Sequence, residues 1–123
     1  MSNETQHVQE FEEVLTNLKE MLHLTDEIMM RLYATFFETV AVTLQTLEDA
    51  IEAEDYEAIK LHAHSIKGSS SSLCYSTISE VAQTIEKKAG AKENYAYENA
   101  FRELAARFDA AQHTYALWTH NRS

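Results

Sequence analysis

Residues 63–70 read Ala63-His64-Ser65-Ile66-Lys67-Gly68-Ser69-Ser70 and lie within a segment of helical periodicity. On a helix, positions i, i+3 and i+4 share one face, so His64, Lys67 and Gly68 are neighbours. A glycine inside a helix costs about 1 kcal/mol relative to alanine, so its place in this group asks for a reason. We interpret Gly68 as space that lets something large approach the imidazole of His64.

The whole chain has 123 residues, with no proline and two glycines, so residues that break helices are rare. Apolar residues recur three or four positions apart through five segments, a pattern typical of amphipathic helices. The apolar stripe of the first segment runs to Leu22, and that of the second includes Leu32. The pattern predicts an all-α fold, an antiparallel four-helix bundle with a short additional N-terminal helix, in which residues 1–123 form a single domain.

Capping residues indicate where the helices begin and end. In chain order these signals are an N-cap at Thr25 or Asp26, an N-cap at Asp55, a capping box of Thr77 with Glu80, a stop at Gly90 and a start near Glu93. The serines at 69–72 propagate a helix poorly, because their hydroxyls compete for backbone groups. The third helix is therefore predicted to end near Leu73.

Charge and composition indicate which classes of partner are disfavoured and which cellular compartment the protein fits. Twenty acidic and ten basic residues give a formal charge of −10, which disfavours nucleic acid and anionic membranes as partners. The sequence shows neither a signal peptide nor an apolar run of membrane-spanning length. Its single cysteine, Cys74, excludes an intramolecular disulfide and fits a reducing compartment. We expect a cytoplasmic protein that binds neither nucleic acid nor membrane.

The helical phase predicts that His64 faces solvent. If Ile59 and Ile66 face the core, His62 lies at the edge of the buried face, and His64 lies about 200° further around the axis. Because these two histidines diverge, we do not expect them to form a metal site. A neutral imidazole is nucleophilic near pH 7, and a neighbouring ammonium stabilises charge on a phosphoryl group. The face therefore suits phosphoryl acceptance.

The segment Ala63 to Leu73 resembles the signature of histidine phosphotransfer (HPt) domains, Ala-His-x-Leu-Lys-Gly-Ser-Ser/Ala followed by Leu-Gly. The similarity extends upstream through Glu54-Asp55-Tyr56 and downstream through the region of Glu86, and the predicted helix order fits the family. One departure is visible, because Cys74 stands where the family usually has glycine. The turn after the third helix can therefore differ in shape from that of the family.

The resemblance implies roles for individual residues. His64 would be the phosphorylated residue, Lys67 would support the phosphoryl group, and Gly68 would leave room for the partner. In the family, a Glu or Gln on the following helix often hydrogen-bonds the other ring nitrogen, and Glu86 stands at the matching position. The residues alone leave open whether Glu86 does so or is a solvated side chain. Gln83, one turn earlier, is the reserve candidate.

The resemblance also implies a function. Such proteins accept a phosphoryl group from an aspartyl phosphate of one receiver domain and pass it to another, as intermediates of a phosphorelay. The expected partners are the receiver domains of a hybrid sensor histidine kinase and of a response regulator. We expect a monomeric carrier that has no ATP site and binds no cofactor, with Mg²⁺ supplied by the receiver. The alternative is a non-catalytic helical adaptor that binds partner proteins without phosphorylation.

Overall fold

The structure is a computed structural model that describes residues 3–122, so residues 1, 2 and 123 of the predicted domain lie outside it. Five helices make up this range: α1 (Asn3–Leu22), α2 (Asp26–Glu52), α3 (Tyr56–Ser72), α4 (Ser76–Gly90) and α5 (Tyr97–Arg122). None of the helices between residues 3 and 122 has both the length and the apolar character needed to cross a lipid bilayer.

The helices α2 to α5 form the predicted bundle. Each packs against the next along the chain, and α5 returns to contact α2, which closes the ring. The short connections make consecutive helices antiparallel. The additional helix α1 has 20 residues, more than α3 or α4, and packs against α5 and α2. The predicted all-α bundle with an extra N-terminal helix is thereby confirmed, but the prediction that this helix is short is wrong.

Two predicted core leucines lie at the surface. Leu22 is 50% exposed at the last residue of α1, where the chain turns away towards α2, and Leu32 is 41% exposed. Tyr33 takes the inward position instead, because it lies one turn after the buried Met29 on the same face. Its hydroxyl donates a hydrogen bond to the carbonyl of Leu73 at 3.3 Å. Leu32 and Tyr33 are adjacent, and the rotation of α2 turns Tyr33 rather than Leu32 into the core.

The caps that orient α2 and α3 are as predicted. The Thr25 hydroxyl accepts a hydrogen bond from the backbone N–H of Ile28 at 3.2 Å. The Asp55 carboxylate accepts one from the N–H of Ala58, also at 3.2 Å. The helix α3 ends at Ser72 with Leu73 as its cap, which confirms the predicted end of the serine run.

The predicted start of α4 is wrong. This helix begins at Ser76 with Tyr75 at the N-cap, and no side chain caps it. The capping box of Thr77 and Glu80 does not form, because Thr77 is already inside the first turn. Its carbonyl instead accepts a hydrogen bond from Arg107 Nη1 of α5 at 2.8 Å.

The predicted start of α5 near Glu93 is also wrong, since the helix begins at Tyr97. The chain just after Gly90 closes the end of α4 instead. The N–H of Lys92 donates to the carbonyl of Ala89 at 3.0 Å, and that of Glu93 donates to Lys88 at 2.9 Å. Glu93 therefore belongs to the turn that closes α4, and α5 begins four residues later.

Four helices are followed by a residue in the left-handed conformation, and in the described chain none of these residues is glycine. They are His23, Glu54, Cys74 and Lys92, with φ between 53° and 65°. In this conformation an L-residue brings its Cβ close to a carbonyl oxygen, at a cost of roughly 1–2 kcal/mol. The turn after α3 thus has the glycine-like shape, with Cys74 adopting it in place of glycine.

Replacing Glu54 with glycine should raise the free energy of unfolding by about 0.5–1 kcal/mol, because glycine adopts this φ without the steric cost. Urea denaturation measures the change. The matched control is Glu48→Gly at an exposed position within α2, which should lower stability by about 1 kcal/mol. A Glu54→Gly protein as destabilised as this control would contradict the left-handed turn.

Candidate functional site

The helix α3 presents His64 to solvent. Its inward side is formed by Ile59, Ala63 and Ile66, each at most 1% exposed. On the opposite side, 64% of the His64 side chain is exposed. His62 is half-buried at the edge between the two, as its place in the helix predicts. The phase set by two core isoleucines is therefore sufficient to place the imidazole at the surface.

The ring of His64 is held by α4 through Glu86. His64 Nδ1 lies 2.7 Å from Glu86 Oε2, and the other carboxylate oxygen, Oε1, lies 3.3 Å from Lys67 Nζ. Only 18% of the Glu86 side chain is exposed, whereas Gln83 is exposed one turn earlier. We call His64, Lys67 and Glu86 the His64 cluster. Of the two candidates for the partner of His64, the structure brings Glu86 to the ring.

The contact with Glu86 determines which ring nitrogen is free. An ionised carboxylate can only accept hydrogen bonds, so at 2.7 Å the Nδ1 atom must be the donor. A neutral imidazole carries one proton, and with that proton on Nδ1 the lone pair lies on Nε2. Because the ring is mostly exposed, the nucleophilic nitrogen is Nε2 and a partner can reach it.

Glu86 stays ionised in this environment. Burial alone raises the pKa of its carboxyl, but the hydrogen bonds and positive charges of His64 and Lys67 outweigh burial, so the pKa lies below its ordinary value. The stabilisation from these contacts is present above the pKa of the unfolded carboxyl. It is lost as the pH falls through the lower pKa of the folded state. At neutral pH the carboxylate therefore remains an acceptor for both donors.

Gly68 lies beside the His64 cluster and has no internal reason to be glycine. A Cβ built at this residue would meet nothing within 4 Å, and φ is not positive. The chain thus places glycine at a position where its own packing and backbone would accept a side chain. The open space above Gly68 adjoins the exposed imidazole one turn earlier.

Serine side chains make a second link between α3 and α4. The hydroxyls of Ser71 and Ser79 lie 2.7 Å apart, and Ser79 also donates to the carbonyl of Lys67 at 3.5 Å. The sequence analysis missed Ser79, whose only signal is its place two turns before Glu86 on α4. Together with the Glu86 contacts, this link fixes the position of Lys67 relative to α4.

Comparisons with known proteins found a matching family model and a similar fold among solved structures. Residues 31–114 match the family model described as "Hpt domain". The fold is similar to the crystal structure of histidine-containing phosphotransfer protein B (HptB) from Pseudomonas aeruginosa PAO1, with a TM-score of 0.75 and 24% sequence identity. The match covers 89% of this chain and 90% of that chain. No curated protein matches the sequence.

Replacing Glu86 with glutamine should shift the His64 tautomer, because an amide can donate to Nδ1 as well as accept from it. In ¹⁵N NMR at about pH 8, where imidazole is neutral, the wild-type ring should be mainly protonated on Nδ1. The Glu86→Gln ring should lose this preference. Gln83→Ala serves as the control and should leave the ring unchanged. Equal tautomer populations in the wild type and Glu86→Gln would remove Glu86 from the positioning of His64.

Proposed function

The chain belongs to the Hpt domain family, which acts in histidine phosphotransfer within two-component phosphorelays, and we propose that His64 is the residue that carries the phosphoryl group. The observation that carries this proposal is the geometry of the ring. Its Nδ1 is engaged by Glu86 at 2.7 Å, while 64% of the side chain is open to solvent. Nε2 is therefore the atom that would be phosphorylated.

The proposed step is an exchange of one phosphorus bond for another. His64 Nε2 attacks the phosphorus of an aspartyl phosphate on a receiver domain, the P–N bond forms, and the P–O bond to the aspartate breaks. The aspartate leaves as a carboxylate. Glu86 retains the proton on Nδ1 and stabilises the positive charge that develops on the ring. The reverse reaction delivers the phosphoryl group to a second receiver domain.

Lys67 would supply positive charge to the transferred group. Its ammonium lies on the same side of α3 as His64 and is held 3.3 Å from Glu86 Oε1. Negative charge on the phosphoryl oxygens would compete with Glu86 for this ammonium. Phosphoryl transfer depends mainly on positioning and charge stabilisation. We propose that Lys67, which can approach both Glu86 and the phosphoryl group, is the one cation that this chain needs to supply. We propose that the receiver supplies the aspartate and Mg²⁺, and that this chain carries no ATP site.

The partner would dock over the exposed sides of α2 and α3. Uncharged side chains border His64 there, including Leu61 on α3, which is 64% exposed. Near the start of α2, Ile28 and Leu32 are 42% and 41% exposed and offer further apolar area on that helix. We propose that the receiver domains of a hybrid sensor kinase and of a response regulator bind here in turn, each to a monomer of this chain.

Replacing His64 with glutamine should abolish phosphoryl uptake from a phosphorylated receiver domain and leave the fold intact, because the ring is exposed. His62→Gln, a half-buried position in the same helix, is the control and should retain uptake. Label transfer followed by gel electrophoresis measures both. The wild-type adduct should be labile in acid and stable in base, as expected of a P–N bond. A His64→Gln protein that still takes label would show that another residue is the carrier, and undiminished signalling by this variant would favour the adaptor function.

Substitutions of increasing size at Gly68 test whether the open space serves the partner. Gly68→Ala and Gly68→Gln should both raise stability by up to about 1 kcal/mol, since both replace a helical glycine. Only Gly68→Gln should impair transfer, because its side chain fills the approach to His64. Urea denaturation and transfer kinetics measure the two effects. Equal transfer rates in both variants would mean that no partner approaches Gly68 closely.

A further inference from the structure

Charge is distributed unevenly along the chain. The segment 56–92, which holds α3 and α4, contains five lysines and three glutamates. The rest of the chain contains five basic and seventeen acidic residues, in a protein whose formal charge is −10. The two helices that build the His64 cluster therefore carry a small net positive charge, and the remainder of the molecule is strongly negative.

Two lysines near His64 lie outside every ion pair found among residues 3–122. Lys67 is engaged by Glu86, and Lys88 pairs with Glu93 at 3.0 Å. Lys60 and Lys87, in contrast, are exposed and unpaired within the described chain. The free positive charge of this face thus comes from residues adjoining the His64 cluster rather than from Lys67 itself.

Both lysines are placed where a partner over His64 would meet them. Lys60 lies one turn before His64, about 6 Å along the axis of α3. Its side chain lies across to α4, with Cδ and Cε 3.7 and 3.8 Å from where a Cβ of Gly90 would stand. Lys87 directly follows Glu86 on α4. Because Lys87 lies two residues after the buried Ile85, it faces away from the core on α4, as His64 does on α3.

We infer that this α3–α4 face, with Lys60 and Lys87 beside the His64 cluster, binds an acidic protein surface and steers it towards the imidazole; the inference rests on the proposed phosphotransfer function. An acidic partner is attracted to this face and repelled by the remainder of the chain, so the field favours one orientation of encounter. Such steering raises association rates and weakens as salt screens it.

The size of the positive face argues for a compact partner. From Lys60 to Lys67 the helix rises only about 10 Å, and outside residues 56–92 the chain is mainly acidic. An extended polyanion such as nucleic acid carries charge continuously along its length and would reach the negative remainder. Acidic side chains clustered on a compact partner domain would match a face of this extent.

Charge reversal tests the inference. The probe is a phosphorylated receiver domain selected because it transfers label to the wild-type chain. The variants are Lys60→Glu, Lys87→Glu and the double substitution. Arg102→Glu is the matched control, because Arg102 is exposed on α5 and its reversal changes the net charge by the same amount as either single variant. Second-order transfer rates are compared at about 0.05 M and about 0.3 M salt, where screening lengths differ more than twofold.

At low salt, the double variant should transfer about tenfold more slowly than the wild type, and the difference should shrink at high salt. Arg102→Glu should change the rate less than twofold. The transfer rate at saturating receiver should be unchanged in all variants, since Lys60 and Lys87 act on encounter. This inference alone is overturned if Lys60→Glu and Arg102→Glu slow transfer equally. It is also overturned if wild-type transfer is insensitive to salt. If no receiver domain labels the wild type, the proposed function fails and the inference with it.

Discussion

The site depends on one carboxylate that serves two donors. Glu86 is held on α4 with only 18% of its side chain exposed, and its two oxygens bind His64 and Lys67, which are three residues apart on α3. This arrangement orients the imidazole, keeps an ammonium within its reach and joins the two helices. Before phosphorylation, the charge of Lys67 is largely balanced by Glu86. A phosphoryl group on Nε2 would add negative charge near Lys67, and the ammonium could then bind the phosphoryl oxygens.

The features around His64 are ones that the fold does not need. Gly68 weakens the helix without relieving any internal contact, and Lys60 and Lys87 add no ion pair among the described residues. A stable bundle would favour a helix-forming residue at Gly68 and would gain little from unpaired cations on this face. Their presence beside an exposed imidazole supports the proposal that a second protein completes the site. Fold and function thus place different demands on opposite sides of one helix, α3.

The sequence predicted those parts of the structure that depend on local chemistry. The caps at Thr25 and Asp55 and the outward phase of His64 follow from short-range hydrogen bonding and helical periodicity. Periodicity could not choose between Leu32 and Tyr33, because adjacent apolar residues suit neighbouring phases. The choice depends on tertiary contacts, in which the Tyr33 ring packs against Phe11 and Tyr115. The predicted stop of α4 at Gly90 is correct. The start of α5 was obscured for a similar reason, since the backbone of Glu93 closes α4 although its side chain is typical of a helix start.

The contacts of the site were harder to predict from the sequence than the exposed position of His64. The choice of Glu86 over Gln83 depends on the rotation of α4 against α3, which the hydroxyls of Ser71 and Ser79 help to fix at 2.7 Å. Such a contact joins two helices across a turn, and the apolar periodicity of neither helix indicates it. Lys60 and Lys87 were likewise hidden by a net charge of −10, which describes the whole chain and not the face around His64.

The left-handed turn at Cys74 also has a practical consequence. This residue is the only cysteine of the chain, and the turn leaves it exposed just beyond the end of α3. It lies ten positions after His64, and α3 rises about 12 Å between His64 and the end of the helix at Ser72. A thiol-reactive dye attached there would be a unique reporter at fixed separation from the imidazole. Native protein could then be followed by fluorescence through each docking event without introducing a new residue.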